Sequence, residues 1–574
     1  MNGIGAAEAL EDQLGDPYET TNPYGFAAAV ARDERDEFPE QLCAALHAAK
    51  FHLNYLPVAC GGEFRSFEDS LTLVQTAARR DLNVMPGTMF GITAATCLLL
   101  HGSDAQREQV FGILRRGGAV AFALSEADHG SDLLANATRL VPDTATGGWQ
   151  LSGTKWMVGR GLTCDAIYVV ARTGERGPGA FSAVLIDPNA SSDRLTSDPA
   201  VRTAGMRGID FAHLRLDDLP VPADALVGTE GEAVEIAVKA QQVVRVLSMA
   251  GSLGCADTAL RLTLDFASTR RVGRKLLTDT AFPRRELAIA SAAMVAASAV
   301  ALAAARGLHH VPEVLSVWGC AAKHVVAEAA DDLIRRCGTV LATRSVLRSE
   351  GPGDGLFQKL QRDAAIVRVI DTSTIANLRS FTGQLPALAA APGSDADLVR
   401  AIFDLSSPLP PYEPERLDLI ARGNDPVIAA LEAVTESVRR TLTNRGDAGT
   451  AALAGELTDR VGRLRADVQT IGHGDALADL AERYSWLHAA ACCLHLWWAN
   501  PRRQLFGTEP GSASWLGACL GYLLARADGV DPRRDAGPLG PALDVTLGLH
   551  RANQLFSAHP VQLAGKHGGS DAQG

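Results

Sequence analysis

The spacing of apolar and polar positions changes period twice along the 574 residues. Residues 23–118 carry apolar positions at helical spacing. The alanine-rich segment 26–49, with Leu42, Leu46 and Ala49, predicts a helix. The loop Leu56-Pro57-Val58-Ala59-Cys60-Gly61-Gly62 ends that run, as proline and paired glycines should. Ser66 stands as an N-cap with Asp69 at the third helical position. Gly102-Ser103-Asp104-Ala105-Gln106 opens another helix toward Phe111 and Leu114. From 119 to about 229 the period falls to two, with short β-rich runs at 166–171 and 180–187 between Gly/Pro turns. Helices then return and run long. Val234, Val238, Val244, Leu247, Gly251 and Gly254 form an apolar and small stripe suited to close packing. Arg245 interrupts it, which is costly inside a bundle unless the guanidinium is paired. The alanine-dominated run 288–305 suits close helix approach, in a bundle core or an oligomer. Leu480, Tyr484, Leu487, Ala491, Leu494 and Trp498 repeat at four-three spacing and read as core.

This order predicts an α+β chain that is mostly α. Its expected parts are an N-terminal helical domain (1–118), a β-barrel or β-sandwich domain (119–229) and a four-helix bundle (230–385). A linker (386–412) and a further helical domain (413–574) follow. The net charge of −12 argues against a nucleic-acid partner. Ten scattered cysteines without a C-x-x-C pair form neither a disulfide framework nor a zinc pattern, so no metal site is expected and a reducing compartment is. The start, MNGIGAAEALEDQ, lacks the basic and apolar regions of a signal peptide. The run 289–305 reads as a buried bundle helix rather than a membrane span. The expectation is a cytoplasmic protein.

Candidate chemistry gathers in two stretches. The first, within 121–161, joins an apolar run ending at Leu124 to the polar turn Ser125-Glu126-Ala127-Asp128-His129-Gly130-Ser131-Asp132. It returns as Ser152-Gly153-Thr154-Lys155-Trp156-Met157. Short strands closed by small polar turns present backbone N–H groups to a ligand. The second is Arg362-Asp363, followed by Ile370-Asp371-Thr372-Ser373-Thr374. With Gly205-Met206-Arg207-Gly208 between them, these stretches resemble the signature of the acyl-CoA dehydrogenase flavoproteins. The resemblance is to members with a C-terminal helical extension, similar to long-chain or carrier-protein-pathway enzymes, and it spans about residues 50–380.

The resemblance implies FAD and the α,β-dehydrogenation of an acyl thioester on CoA or a carrier protein. The α-proton would go to a carboxylate base and the β-hydride to flavin N5. Asp371 stands where the family has its glutamate base. An α-C–H is weakly acidic, so the base must sit close, its pKa raised by a dry pocket, with donors for the developing enolate. Aspartate is one methylene shorter, roughly 1.5 Å of reach. A base role therefore requires a shifted backbone or a differently seated substrate. Nitroalkane oxidase, a relative, uses an aspartate at the matching place. The other reading of Asp371 is a helix N-cap ahead of Thr374. Some family members carry the base on an earlier helix, beside the match of Arg245; that neighbour here is Val244, which holds no proton.

The resemblance also implies that Leu124, Ser125, Ser131, Trp156, Met157, Gly159 and Ser373 border the flavin, and that Ser131 and Arg245 border the substrate. Arg270 would reach the FAD pyrophosphate of a neighbouring subunit in a homodimer or homotetramer. Gly159 replaces a threonine at the flavin edge and has no side chain to offer. Local alternatives stay open: Trp156 as a core aromatic, Ser131 as a turn cap, His129 as a hydrogen-bonded structural residue, and the cations Arg270, Arg271, Arg274 and Lys275 as a solvated helix end. The electron acceptor would be an electron-transfer flavoprotein or oxygen. Two other functions remain: a flavin oxidase or monooxygenase, and a degenerate dehydrogenase serving as a binding partner.

Overall fold

The computed structural model describes residues 3–189, 193–199, 201–348, 354–393, 396–471 and 474–565; the end of the extension, 566–574, lies outside them. The N-terminal helices are α1 (Gly3–Leu14), α2 (Phe26–Glu34), α3 (Glu40–Ala48), α4 (Phe67–Ala78), α5 (Val84–Met89), α6 (Ile92–His101) and α7 (Asp104–Arg115). Ser66 caps α4 by accepting the Asp69 N–H at 3.0 Å, and Ser103 forms a reciprocal capping box with Gln106 at the start of α7. The run expected as one helix over 26–49 is two. Asp36 turns into the left-handed region and Pro39 opens α3, since proline cannot donate to the preceding turn and biases Phe38 away from helix.

The β-domain is one 8-stranded sheet of β1 (Val120–Ala123), β2 (Arg139–Asp143), β3 (Gly148–Gly159), β4 (Ala166–Arg172), β5 (Phe181–Ile186), β6 (Leu195–Asp198), β7 (Phe211–Val221) and β8 (Leu226–Val227). The order is β6-β7-β3-β2-β4-β5-β8, with β1 parallel to β4. Leu151, Ile167, Val169, Val184 and Leu214 bury its core face. β3 pairs antiparallel with β7 through two register shifts, one of them between Lys155 and Val158.

Long helices follow: α8 (Ala233–Thr269), the hairpin β9 (Arg271–Val272) and β10 (Lys275–Leu276), α9 (Ala281–His310), α10 (Leu315–Leu341), α11 (Leu356–Val367) and α12 (Thr374–Thr382). Where a linker is expected over 386–412, the chain forms α13 (Leu385–Ala390) and α14 (Ala396–Phe403). Leu385, Leu388, Val399, Ile402 and Phe403 are buried there, so apolar spacing wins over the scattered Pro and Gly. The extension adds α15 (Pro426–Ala429), α16 (Leu431–Asn444), α17 (Ala448–Ile471), α18 (Leu477–Ala499), α19 (Ser514–Ala527) and α20 (Gly540–Arg551). It wraps the bundle. α18, α19 and α20 all pack on α9, whose residues from Glu286 to His309 are buried throughout. The alanine run is thus covered by the chain's own extension. Among the described residues, Val84–His101, Ala233–Thr269 and Ala281–His310 are long and apolar enough to cross a membrane; the apolar windows of the last two lie wholly inside the protein as core helices.

Candidate active site

The first half of the site is the turn between β1 and β2 with the strand β3 behind it. Glu126 is buried and accepts the N–H groups of Ala137 (2.7 Å) and Thr138 (3.0 Å) and the Lys155 ammonium (2.9 Å). Burial works against its carboxylate, but Lys155 and these donors hold it below the usual range. Lys155 also donates to the Leu124 carbonyl at 3.0 Å, and the Trp156 N–H donates to Ser125 O at 2.9 Å. A rigid base therefore carries an outer arc in which Asp128, Gly130, Ser131, Asp132 and Leu134 are exposed. The register shift in β3 puts Met157 at φ 56° and leaves Trp156 38% exposed, so Trp156 is not the core aromatic that remained open from its sequence. A bulge beside a ligand face commonly re-aims side chains in this way. Met157 packs half-buried against the core.

Gly159 is required by its neighbour. A Cβ there would lie 2.2 Å from the Phe90 ring, which also meets Phe211 edge-on at 6.0 Å between centroids. Phe90 fills the space a side chain at 159 would take. Nothing in its local sequence signals this, because the contact spans two domains.

The second half is the turn joining α11 to α12. Asp371 (φ 51°) and Thr372 (φ 84°) are consecutive left-handed residues, a costly state for an aspartate beside a β-branched threonine. Several groups hold it. Arg245, buried on α8, donates to Thr372 Oγ1 at 3.1 Å; Thr372 Oγ1 lies 3.4 Å from Gln241 Oε1; and Asn377 Nδ2 donates to Thr372 O at 3.0 Å. The N-cap of α12 is Ser373, whose hydroxyl accepts the Ala376 N–H at 3.2 Å, so the capping role considered for Asp371 belongs to Ser373. Among the described residues, Asp371 makes no hydrogen bond, and Arg245 Nε is buried without one. Burial raises the Asp371 pKa above the ordinary carboxylate value, against the opposing cations Lys323 and Arg245.

The two halves are pinned together by residues that read only as landmarks in sequence. Asp363 on α11 accepts the Met206 N–H at 2.7 Å, and Lys359 bridges Asp363 (2.6 Å) and Asp81 (2.9 Å). Arg362 pairs with Asp33 and donates to Ala204 O at 2.8 Å. Gly205 lies so close to Arg362 O that a Cβ would meet it at 2.4 Å. The Arg-Asp pair thus fixes the sheet on the helix that leads into Asp371.

Arg270 is not brought to this centre. It caps α8 at the far end from Arg245, 25 residues on, or about 37 Å of helix. Its side chain is exposed and unpaired among the described residues, as part of the basic hairpin end. His129 lies 3.8 Å from Glu126. A cavity of about 240 Å³, lined by Cys43, His47, Phe90 and Arg160 among others, touches neither Asp371, Ser131 nor Arg245.

Known proteins resemble this chain over part of its length. The acyl-CoA dehydrogenase middle domain matches residues 121–219, and the acyl-CoA dehydrogenase C-terminal domain matches 234–374. The probable acyl-CoA dehydrogenase FadE25 of Mycobacterium tuberculosis is 25% identical over 349 residues, covering 60% of this chain and 86% of the relative. The solved structure of butyryl-CoA dehydrogenase from Megasphaera elsdenii superposes with a TM-score of 0.59 at 21% identity, over 67% of this chain and 97% of that one. The prolyl acyl carrier protein oxidase AnaB gives the same TM-score at 16% identity, over 67% and 98%. The part of the chain left over corresponds to an added region beyond the shared core.

Proposed function

Because the chain belongs to the acyl-CoA dehydrogenase family, we propose that this oxidoreductase α,β-dehydrogenates an acyl thioester, carried on CoA or a carrier protein, with Asp371 as base. The observation that carries this reading is the unbonded, partly buried Asp371 carboxylate on a left-handed turn, with its pKa raised. The left-handed backbone at 371–372 is the kind of shift that a shorter aspartate would require. A raised pKa suits a group that must take a proton from carbon and stay close in basicity to the developing enolate.

The residues present fit the FAD of this family. The exposed arc around Ser131 and the exposed Trp156 ring would border the flavin, with Leu124, Ser125, Met157 and Gly159 from the same turn and strand and Ser373 from the start of α12. The edge at Gly159 is lined by the Phe90 ring instead of a hydroxyl. When bound, FAD would supply the acceptor for the hydride leaving the β-carbon. Arg270 is suited to a phosphate of a neighbouring copy's cofactor, since its own turn is a helix length away. The chain's own work is then to seat the thioester arm near Ser131, to keep water from Asp371, and to receive the α-proton on a carboxylate oxygen. Arg245, whose Nε is buried without a partner, would be the donor on the substrate side.

The test is anaerobic flavin bleaching by a panel of acyl thioesters, CoA-bound and carrier-bound. Wild type is expected to bleach with one class, and Asp371→Asn to bleach about 10²- to 10⁴-fold more slowly. Full-rate bleaching by Asp371→Asn would remove the base assignment. Reoxidation by air compared with an electron-transfer flavoprotein then identifies the acceptor.

A further inference from the structure

We propose that Lys323 is a positioning residue for the candidate base: it holds the left-handed Asp371-Thr372 turn and keeps a cation facing the carboxylate. This rests on the dehydrogenase reading only for its kinetic consequence. The geometry stands by itself. Lys323 is fully buried on α10, and its Nζ donates to Val367 O (2.9 Å), Ile370 O (3.3 Å) and Ser248 Oγ (3.1 Å). Ser248 gives its own hydrogen to Arg245 O at 3.0 Å, so its oxygen must accept from Lys323. All three partners are therefore acceptors, a set that only the ammonium form can fill. Val367 O is the last carbonyl of α11, where a cation is favoured, and Ile370 O lies in the turn immediately before Asp371. Strained residues persist where their surroundings over-determine them. Here Arg245 and Asn377 hold Thr372 from one side, and Lys323 holds the incoming backbone from the other.

The charged groups around the turn are few. Arg245 comes from α8 and Lys323 from α10. Next on α10, His324 packs on Trp486 of α18 and lies 3.8 Å from Glu482. Arg368, at the end of α11, is taken up by Glu328 at 2.7 Å. Lys323 and Arg245 are thus the cations that act on Asp371. Burial brings the Lys323 amine down to about 8, with Asp371 opposing that shift and Arg245 adding to it. The three acceptors and the carboxylate keep it charged at neutral pH, and the charge in turn limits how far Asp371 rises.

The experiment uses the FAD-loaded enzyme and Lys323→Met, Lys323→Gln and Lys323→Arg. With a thioester that bleaches wild type, Lys323→Met is expected to react roughly tenfold or more slowly. Its acid-side half-rate point should move up by about one pH unit, because removing a nearby cation favours the protonated acid. Lys323→Arg should return that point toward wild type. Placed on Asp371→Asn, Lys323→Met should add nothing to the residual rate. The readout independent of turnover is the infrared carboxyl band of Asp371, isolated as wild type minus Asp371→Asn and titrated without substrate; its midpoint should rise in Lys323→Met. If Lys323→Met does not fold, Lys323→Gln keeps two donors without the charge and carries the same titration. An unmoved midpoint overturns the proposal. A moved midpoint in an enzyme that no thioester bleaches upholds it and removes the dehydrogenase reading instead.

Discussion

Asp371 and Asp425 are both aspartates in the helical part of the chain, and the protein treats them oppositely. Asp425 has ordinary extended backbone, caps α15 by accepting the N–H groups of Val427 (3.0 Å) and Ile428 (3.5 Å), and accepts the Tyr484 hydroxyl, with His488 Nε2 at 3.5 Å. Burial alone would raise its pKa, yet His488, Tyr484 and the backbone donors bring it below the usual carboxylate value. Asp371 sits on left-handed backbone, makes no hydrogen bond among the described residues, and is pushed up. A carboxylate whose lone pairs are all used holds structure. One whose lone pairs are left open, at the cost of backbone strain, is available for chemistry.

Exchanging the two carboxylates' chemistry gives the largest expected effects. Asp425→Ala should lower stability by about 3–5 kcal/mol, because it leaves a buried hydroxyl and a helix end without partners. At a temperature where it stays folded, its flavin reduction should match wild type. Asp371→Asn should do the reverse, losing flavin reduction while its thermal midpoint stays put or rises, since it relieves a desolvated charge. Paired thermal melts and anaerobic bleaching check both. Loss of activity in folded Asp425→Ala, or a large stability loss in Asp371→Asn, would erase the distinction.

That distinction was not legible in the sequence, although much of the fold was. The caps at Ser66 and Ser103, the change to period two near 119 and the long stripe of α8 are local signals, and the chain obeys them. The turn around Ser125 and the segment around Asp371 were also marked by their residue types. The missed parts depend on distant partners. α1 is held by Glu11, buried against Arg79 and Arg80 nearly seventy positions away, and no local pattern announces that pairing. Phe90 acquires its role from Gly159, and Lys323 from carbonyls 44 and 47 residues downstream. The sequence singled out Asp371 by resemblance alone; the donors around it and around Asp425 supply the physical difference.

A smaller effect sharpens the comparison through pH. His495 on α18 is fully buried against Val427 O at 2.8 Å, and burial lowers its pKa from 6.5 to about 4, outweighing that carbonyl and Asp425. The unfolded chain therefore binds this proton more readily than the folded one. Its contribution is fully present above about pH 6.5 and is lost as pH falls toward 4, by at most about 3 kcal/mol. Denaturant midpoints measured from pH 7 to 4 should fall, and His495→Gln should flatten that slope. An equal slope in the variant would assign the acid loss elsewhere.

The smallest expected effect is the most discriminating, because it concerns a cluster that imitates an active site. Cys492 Sγ lies 3.7 Å from His488 Nδ1, and His488 in turn faces Asp425, the sequence of groups that activates a thiol nucleophile. The surroundings deny that role. Cys492 is wholly buried, the Trp318 ring packs on His488 at 5.4 Å, and burial with nearby Cys493 and Asp425 pushes the thiol well above its ordinary value. A thiol kept protonated and without access is a small apolar side chain. Cys492→Ala should therefore leave flavin reduction unchanged and cost about 1 kcal/mol of packing. In the folded wild type, a thiol reagent should label Cys492 no faster than the chain opens. Faster labelling would mean that the cluster has an approach the packing does not reveal, and that saturation of Asp425 does not by itself mark a carboxylate as structural.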